Sequence, residues 1–219
     1  MALSKLKYNS LNVTPAASKA VGFDSGADDL SASLSGGSMV FIKKLTASSS
    51  ATLSFVDGAS SVVLDDTYKE YLFTFNNIHP QTSEENFTFN GSVDSGSNYN
   101  VTKTTTAIQT YLSEAHGDAE LAYSTTRDLA QSTADQILGY SIGNDNDQGC
   151  SGYLHLFNPS STTFVKHFTA TLNVCHHQPA TMSWHYAGYF NTTSAIDAVQ
   201  FKMSSGNVDT GDICLYGIS

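Results

Sequence analysis

Apolar runs in this chain keep stopping at strand length. In YKEYLFTFNNI (68–78), Tyr71, Phe73 and Phe75 share one side of an extended backbone and Leu72, Thr74 and Asn76 share the other. That is the two-residue period of a β-strand. FTFNGSV (87–93) repeats the pattern. MVFIKKLTA (39–47), SATLSFV (50–56), SVVLDD (61–66), YNVTKTTTAIQTYL (99–112) and ILGYSI (137–142) carry the β-branched and aromatic residues that suit a pleated surface. TMSWHYAGYFN (181–191), AIDAVQFKM (195–203) and DICLYGIS (212–219) continue the series. Turn clusters punctuate it: DG at 57–58, DSGSN at 94–98, NTTS at 191–194 and SSGNVDTG at 204–211. HPQTSEEN (79–86) reads as a loop.

One stretch shows the same pattern at close range. GYLHLFNPSSTTFVKHFTATL (152–172) reads as a hairpin. Leu154 and Leu156 face one way, with Tyr153, His155 and Phe157 opposite. On the return strand Phe164, Phe168, Ala170 and Leu172 align. Pro159 cannot donate to a ladder and ends the first strand. Residues 113–136 break the rhythm and are read as a long loop or one or two helical turns.

Roughly ten strand-length segments without a sustained helical period predict an all-β chain, an antiparallel β-sandwich with a jelly-roll-like layout. Residues 1–37, small and polar and ending in LSASLSGG, read as an extended N-terminal arm or linker, and 38–219 as the sandwich domain. A 219-residue chain is long enough to bury a core without metal or disulfide support.

Charge narrows the function classes. Only 14% of residues are charged, net charge is −10, and Arg127 is the single arginine. Nucleic-acid binders cluster Lys and Arg to neutralise phosphates, so nucleic acid is not an expected partner. Polarity comes instead from Ser and Thr, about a quarter of the chain. The first twenty residues carry Lys5, Lys7 and Lys19 and no acid, so a basic arm precedes an acidic domain and could anchor it to an acidic neighbour. A solvated terminus is the plainer reading of the same residues.

Cys150, Cys175 and Cys214 are odd in number and widely spaced, which fits neither a disulfide framework nor a zinc signature. MALSKLKYNSLNV lacks the apolar core of a signal peptide, and no apolar stretch is long enough for a membrane span. Synthesis in a cytoplasm and no membrane partner are therefore expected. The sequons at Asn12, Asn86, Asn100 and Asn191 are what a chain rich in Asn, Ser and Thr produces by chance.

Three groups of residues could carry chemistry. In GNDNDQG (143–149), Asp145 and Asp147 supply the hard oxygens calcium prefers. The EF-hand spacing fails, because Cys150 stands where Gly belongs and Leu156 where Glu belongs. Calcium is the cofactor these carboxylates could hold, and an interstrand loop is the alternative. Cys175, His176, His177 and His185 are metal-ligating types, but adjacent residues on a strand point to opposite faces, so one site could use both His176 and His177 only through an irregular turn. Trp184, Tyr186 and Tyr189 could present faces to a sugar or a protein, with a place in the core as the alternative. No nucleophile elbow, zinc-protease or phosphate-loop motif occurs. The carboxylates that a glycosidase would pair lie scattered in loops. No enzyme activity and no catalytic residue are expected.

YKEYLFTFNNIHP (68–80), GYLHLFNPSSTTFVKHF (152–168), AGYFNTTSAIDAVQF (187–201) and MSSGNVDTGDICLYGIS (203–219) resemble virion structural proteins of tailed bacteriophages, marine ones especially. The resemblance touches most of the chain from residue 39 onward and carries no functional residue over. It implies a non-enzymatic β-rich part of a phage particle, a capsid decoration or a tail, fibre or spike subunit. Such a part would pack against copies of itself, with a trimer favoured, and against capsid or tail proteins. A carbohydrate-binding adhesin for host-surface glycans is the competing expectation.

Overall fold

The computed structural model describes residues 22–23, 30–31 and 38–219. The chain divides into two units, Met1–Ser38 and Met39–Ser219. In the first, β1 (Gly22–Phe23) pairs antiparallel with β2 (Leu30–Ser31). Lys5, Lys7 and Lys19, and with them the basic arm, lie outside the described residues.

The second unit is a β-sandwich. Its strands are β3 (Met39–Thr46), β4 (Leu53–Val56), β5 (Glu70–Pro80), β6 (Glu85–Ser92), β7 (Lys103–Ser113) and β8 (Ala119–Tyr123), followed by β9 (Gln136–Ile142), β10 (Cys150–Phe157), β11 (Lys166–Cys175), β12 (Ala180–Phe190), β13 (Ala198–Met203) and β14 (Val208–Ile218). No helix occurs among the described residues. The large sheet has eight strands in the order β3-β14-β5-β10-β11-β12-β7-β8, and the small sheet four, β4-β13-β6-β9. Every pairing is antiparallel.

The expected alternation puts the core where it belongs. Tyr71, Phe73 and Phe75 of β5 are buried, as are Leu154 and Leu156 of β10 and Phe168, Ala170 and Leu172 of β11. They meet Phe55, Phe87, Phe89 and Phe201 from the small sheet. Phe201 lies between the layers, with the rings of Phe73 and Phe75 at 5.3 and 5.2 Å on one side and Phe87 at 5.8 Å beside it in its own sheet. Offset and edge-to-face ring pairs of this kind add to the burial of apolar area.

Several boundaries differ from the sequence reading. His79 and Pro80 belong to β5 rather than to a loop. Residues 61–66 are not a strand, although Val62 and Leu64 still reach the core from a turn. Phe164 does not join Phe168; it lies in the β10–β11 connection and is 68% exposed. Within 113–136 the structure places a strand, β8, and no helical turn. AELAY forms a strand there because β7 offers an edge: Ile108 pairs with Tyr123 and Leu112 with Ala119.

The sheets are unequal, and the larger one keeps one face turned away from the core. Read across the registers, that face carries Phe41, Tyr216, Leu72, His155, Thr169 and Ala187 in one row. Lys44, Cys214, Thr74, Tyr153, Thr171 and His185 form the next. Thr74, Thr169 and Thr171 thus place hydroxyls on this outer face.

A polar cleft beside the β9–β10 loop as the candidate functional site

The loop 143–149 lies at one end of the sandwich and is held by backbone and side-chain hydrogen bonds. Gln148 N–H donates to Asp145 O at 2.8 Å, and Asp145 N–H to Gln148 Oε1 at 3.1 Å. Cys175 N–H donates to Gly149 O at 2.9 Å, which fastens the loop to the end of β11. Asn144 Nδ2 donates to Gln81 O at 3.3 Å.

Beside the loop lies an open cleft of about 470 Å³, lined by Asn77, His79, Asn146, Asp147, Asn173 and Thr210 among others. Its walls come from β5, β11 and β14 as well as the loop. Asn77 takes a left-handed conformation with φ +50°, and its N–H donates to Ser151 Oγ at 3.0 Å. Gly211 has φ +122° because β14 passes very close to β5: a Cβ there would lie 2.6 Å from Asn77 O. His79 meets Asp145 O through Nε2 at 3.2 Å and faces Asp209 Oδ2 from Nδ1 at 3.9 Å. The cleft offers amides, a carboxylate, an imidazole and a hydroxyl, the groups that hydrogen-bond a polar, hydroxyl-bearing ligand.

Asp145 and Asp147 share the loop, with Asp147 on the cleft wall. Among the described residues no three His, Cys, Asp or Glu side chains gather as a metal-holding group. The two carboxylates would thus have to be completed by amide and backbone oxygens, which calcium accepts more readily than zinc does.

The histidines do not form one site. His176 and His177 leave the strand pattern after β11, and their rings lie 4.2 Å apart rather than on opposite faces. The irregular turn before Pro179 brings them together. His176 Nδ1 accepts from Gln178 N–H at 3.2 Å, and His177 Nδ1 lies 2.9 Å from Ser141 Oγ. Burial, and then the neighbouring His177, lower the His176 pKa. His185 is elsewhere, on the outer face beside Thr171 at 3.2 Å. Burial, followed by Asp147 and Glu114, raises the Cys175 thiol, which disfavours the thiolate that a nucleophile or metal ligand requires.

The three aromatic candidates separate. Trp184 and Tyr186 are 1% and 2% exposed, stacked at 5.7 Å inside the core, so they present no face to a ligand. They share inward parity on β12, and burial drives the Tyr186 phenol pKa far up. Tyr189, of opposite parity, packs against His167 at 6.0 Å. On β10, by contrast, Tyr153, His155 and Phe157 point outward and form a ladder with ring spacings of 5.7 and 6.0 Å. Alternation places that ladder outside, but nothing in the local sequence marks Asn77, His79, Asn173 and Thr210 as neighbours. Only strand pairing unites them.

Comparison with known protein families, with curated proteins and with solved structures finds no match to this chain.

Proposed function

We propose that the chain is a non-enzymatic structural component of a tailed-bacteriophage virion, carried on the outside of the particle as a capsid decoration or cement protein or as a fibre or spike subunit. It would assemble with copies of itself and with other virion proteins. The reading starts from the four resembling stretches. The observation that carries it furthest is the large sheet, whose outer face bears hydroxyls and whose two terminal strands have no further partner among the described residues. Low charge favours such packing, because few ionic groups must be desolvated. The test is to raise antibodies against the purified chain and label gradient-purified virions, with mass spectrometry of the same fraction. Stoichiometric presence and surface labelling are expected. Virions that lack the chain would end this reading.

The cleft favours a second reading, a carbohydrate-binding adhesin. Asn77, Asn146, Asp147 and Asn173 supply paired donors and acceptors of the kind that meet sugar hydroxyls. On this reading a glycan array probed with and without calcium gives selective signals that Asp147→Ala removes. A blank array in both conditions would exclude it. The two readings are compatible, since a fibre can also bind host glycans.

A further inference from the structure

We propose that copies of this chain join head to tail through their large sheets, β8 of one copy pairing antiparallel with β3 of the next. The inference deepens the assembly reading above by naming the surface, and it rests on that reading only in requiring self-association.

The two edges are open among the described residues, since β3 and β8 end the eight-strand order. Open edges present unpaired N–H and C=O groups and are commonly blunted by Pro, bulges or Lys. β8 has none of these. Its sequence is AELAY, with Leu121 74% exposed and Tyr123 50% exposed. β3 carries a bulge at Ile42 and two lysines, Lys43 and Lys44, beyond its first three residues, and exposes Met39 and Phe41 to a similar degree.

Direction, register and charge agree. Eight strands is an even number, so β3 and β8 run opposite to one another. A second copy set edge to edge in the same orientation therefore continues the antiparallel pattern. On β8, Ser124 N–H donates to Ala107 O and Ser113 N–H to Asp118 O. By alternation, residues 119, 121 and 123 turn their backbone groups to the free edge. On β3, Ala47 N–H donates to Gly211 O. Along the β14 register, Phe41 lies opposite Tyr216, past a bulge at Ile42, and the same alternation turns Phe41 and Met39 outward.

Setting Leu121 against Phe41 of the next copy matches these outward groups. The same register sets Tyr123 against Met39 and brings Glu120 to Lys43. The first four side chains are all on the outer face, because Leu121 pairs with Thr110 and Phe41 with the outward Tyr216. Glu120 and Lys43 share the inner side, opposite Tyr111 and the buried Leu215. Neither is in an ion pair among the described residues, whereas Lys44 already holds Asp212 at 3.2 Å. A two-fold β8–β8 pairing centred on Leu121 would instead set Glu120 opposite Ala122 and Asp118 opposite Ser124, so it gains no opposite-charge pair and leaves Lys43 unmatched. A head-to-tail contact of this kind closes into a ring or extends as a filament.

The experiment is cysteine cross-linking of the full chain, paired with light scattering. Opposed Cα atoms in such a ladder lie about 5.5 Å apart, within disulfide reach. Leu121→Cys with Phe41→Cys is expected to give a ladder of disulfide-linked species above the wild-type background, and each single variant none. As an independent check, Glu120→Lys and Lys43→Glu are each expected to weaken self-association at least tenfold, and the two together to restore it. Linked dimers from Leu121→Cys alone would replace the proposal with the two-fold pairing. A folded, monomeric wild type, or an oligomer whose double-cysteine variant does not link, would overturn it. The outcomes are separable: linked chains with virions that lack the protein would end the phage reading and leave the edge pairing standing.

Discussion

The fully buried Lys103 ammonium donates to Asn90 Oδ1 at 2.7 Å and pairs with no carboxylate among the described residues. Val101 O accepts a second bond at 2.8 Å, and the Phe190 ring lies 5.6 Å away. Asn90 passes the interaction on, because its Nδ2 donates to Asp135 Oδ1 at 3.0 Å, and Asp135 pairs with Lys202 at 2.9 Å. A charge is thus held in the sandwich by carbonyl dipoles, with its counter-ion one side chain removed.

That arrangement has a pH signature. Burial pushes the Lys103 pKa down to about 8, with Asp135 pulling weakly the other way. The unfolded chain keeps an ordinary lysine near 10.4. Between those values the unfolded state binds the extra proton, so this group adds stability as pH rises through the window and withdraws it as pH falls toward 8. Urea midpoints from pH 7 to 10.5 are expected to carry a component of on the order of 1 kcal/mol per pH unit that Lys103→Met lacks. Parallel profiles for the two proteins would refute it.

Phe201 is the central ring of the core. Besides Phe73, Phe75 and Phe87 it meets Phe55 at 6.3 Å and Phe89 at 6.2 Å. Neighbouring rings from two sheets cannot collapse into the space it leaves. Phe201→Ala is expected to cost roughly 3–5 kcal/mol, measured by urea denaturation with an unchanged m-value.

The layering was legible in the sequence wherever one face of a strand is buried. Tyr71, Phe73 and Phe75, and the Leu154–Leu156 pair, fall where alternation puts them, because period two is set by the backbone itself. AELAY at β8 was not legible, since an edge strand exposed on both faces has no alternation to show and forms only because β7 pairs with it. Phe164 failed for the opposite reason: it has a core residue's chemistry but stands two residues before β11 begins, where the turn governs its direction. Trp184 and Tyr186 looked like binding aromatics, yet their shared parity on β12 buries them. The cleft is a meeting of β5, β11, β14 and a loop, and such long-range neighbours leave no local signal. Strand geometry stops at Cys175, so the adjacent His176 and His177 rings meet through the irregular turn that the sequence left open.

Gly211 should resist replacement for two separate reasons. Its φ of +122° is strained for any L side chain, and a Cβ would meet Asn77 O at 2.6 Å and Ile78 Cα at 2.9 Å. Gly58 isolates the first reason, because its φ is +74° but no atom lies within 4 Å of a Cβ there. Gly58→Ala is expected to cost about 1 kcal/mol, and Gly211→Ala roughly 2–3 kcal/mol or more, read as shifts in urea midpoint. Equal losses at the two positions would mean that β5 and β14 do not approach as closely as described.

His176 supplies a second pH dependence, on the acid side. Burial and the adjacent His177 hold its pKa below the ordinary value, with Glu84 opposing. A histidine in the unfolded chain titrates near 6.5. As pH falls below that value the unfolded state takes up the proton first, so the stability that neutral His176 supports is complete above about 6.5 and is lost as pH falls through the folded pKa. His176→Asn retains a side-chain acceptor for Gln178 N–H and cannot titrate. Its urea midpoint is expected to fall less than wild type's between pH 7 and 5, with the difference reduced in a His177→Gln background because one of the two lowering influences is gone. If both singly substituted proteins track the wild type across that range, burial does not hold His176 neutral in the folded chain and the prediction fails.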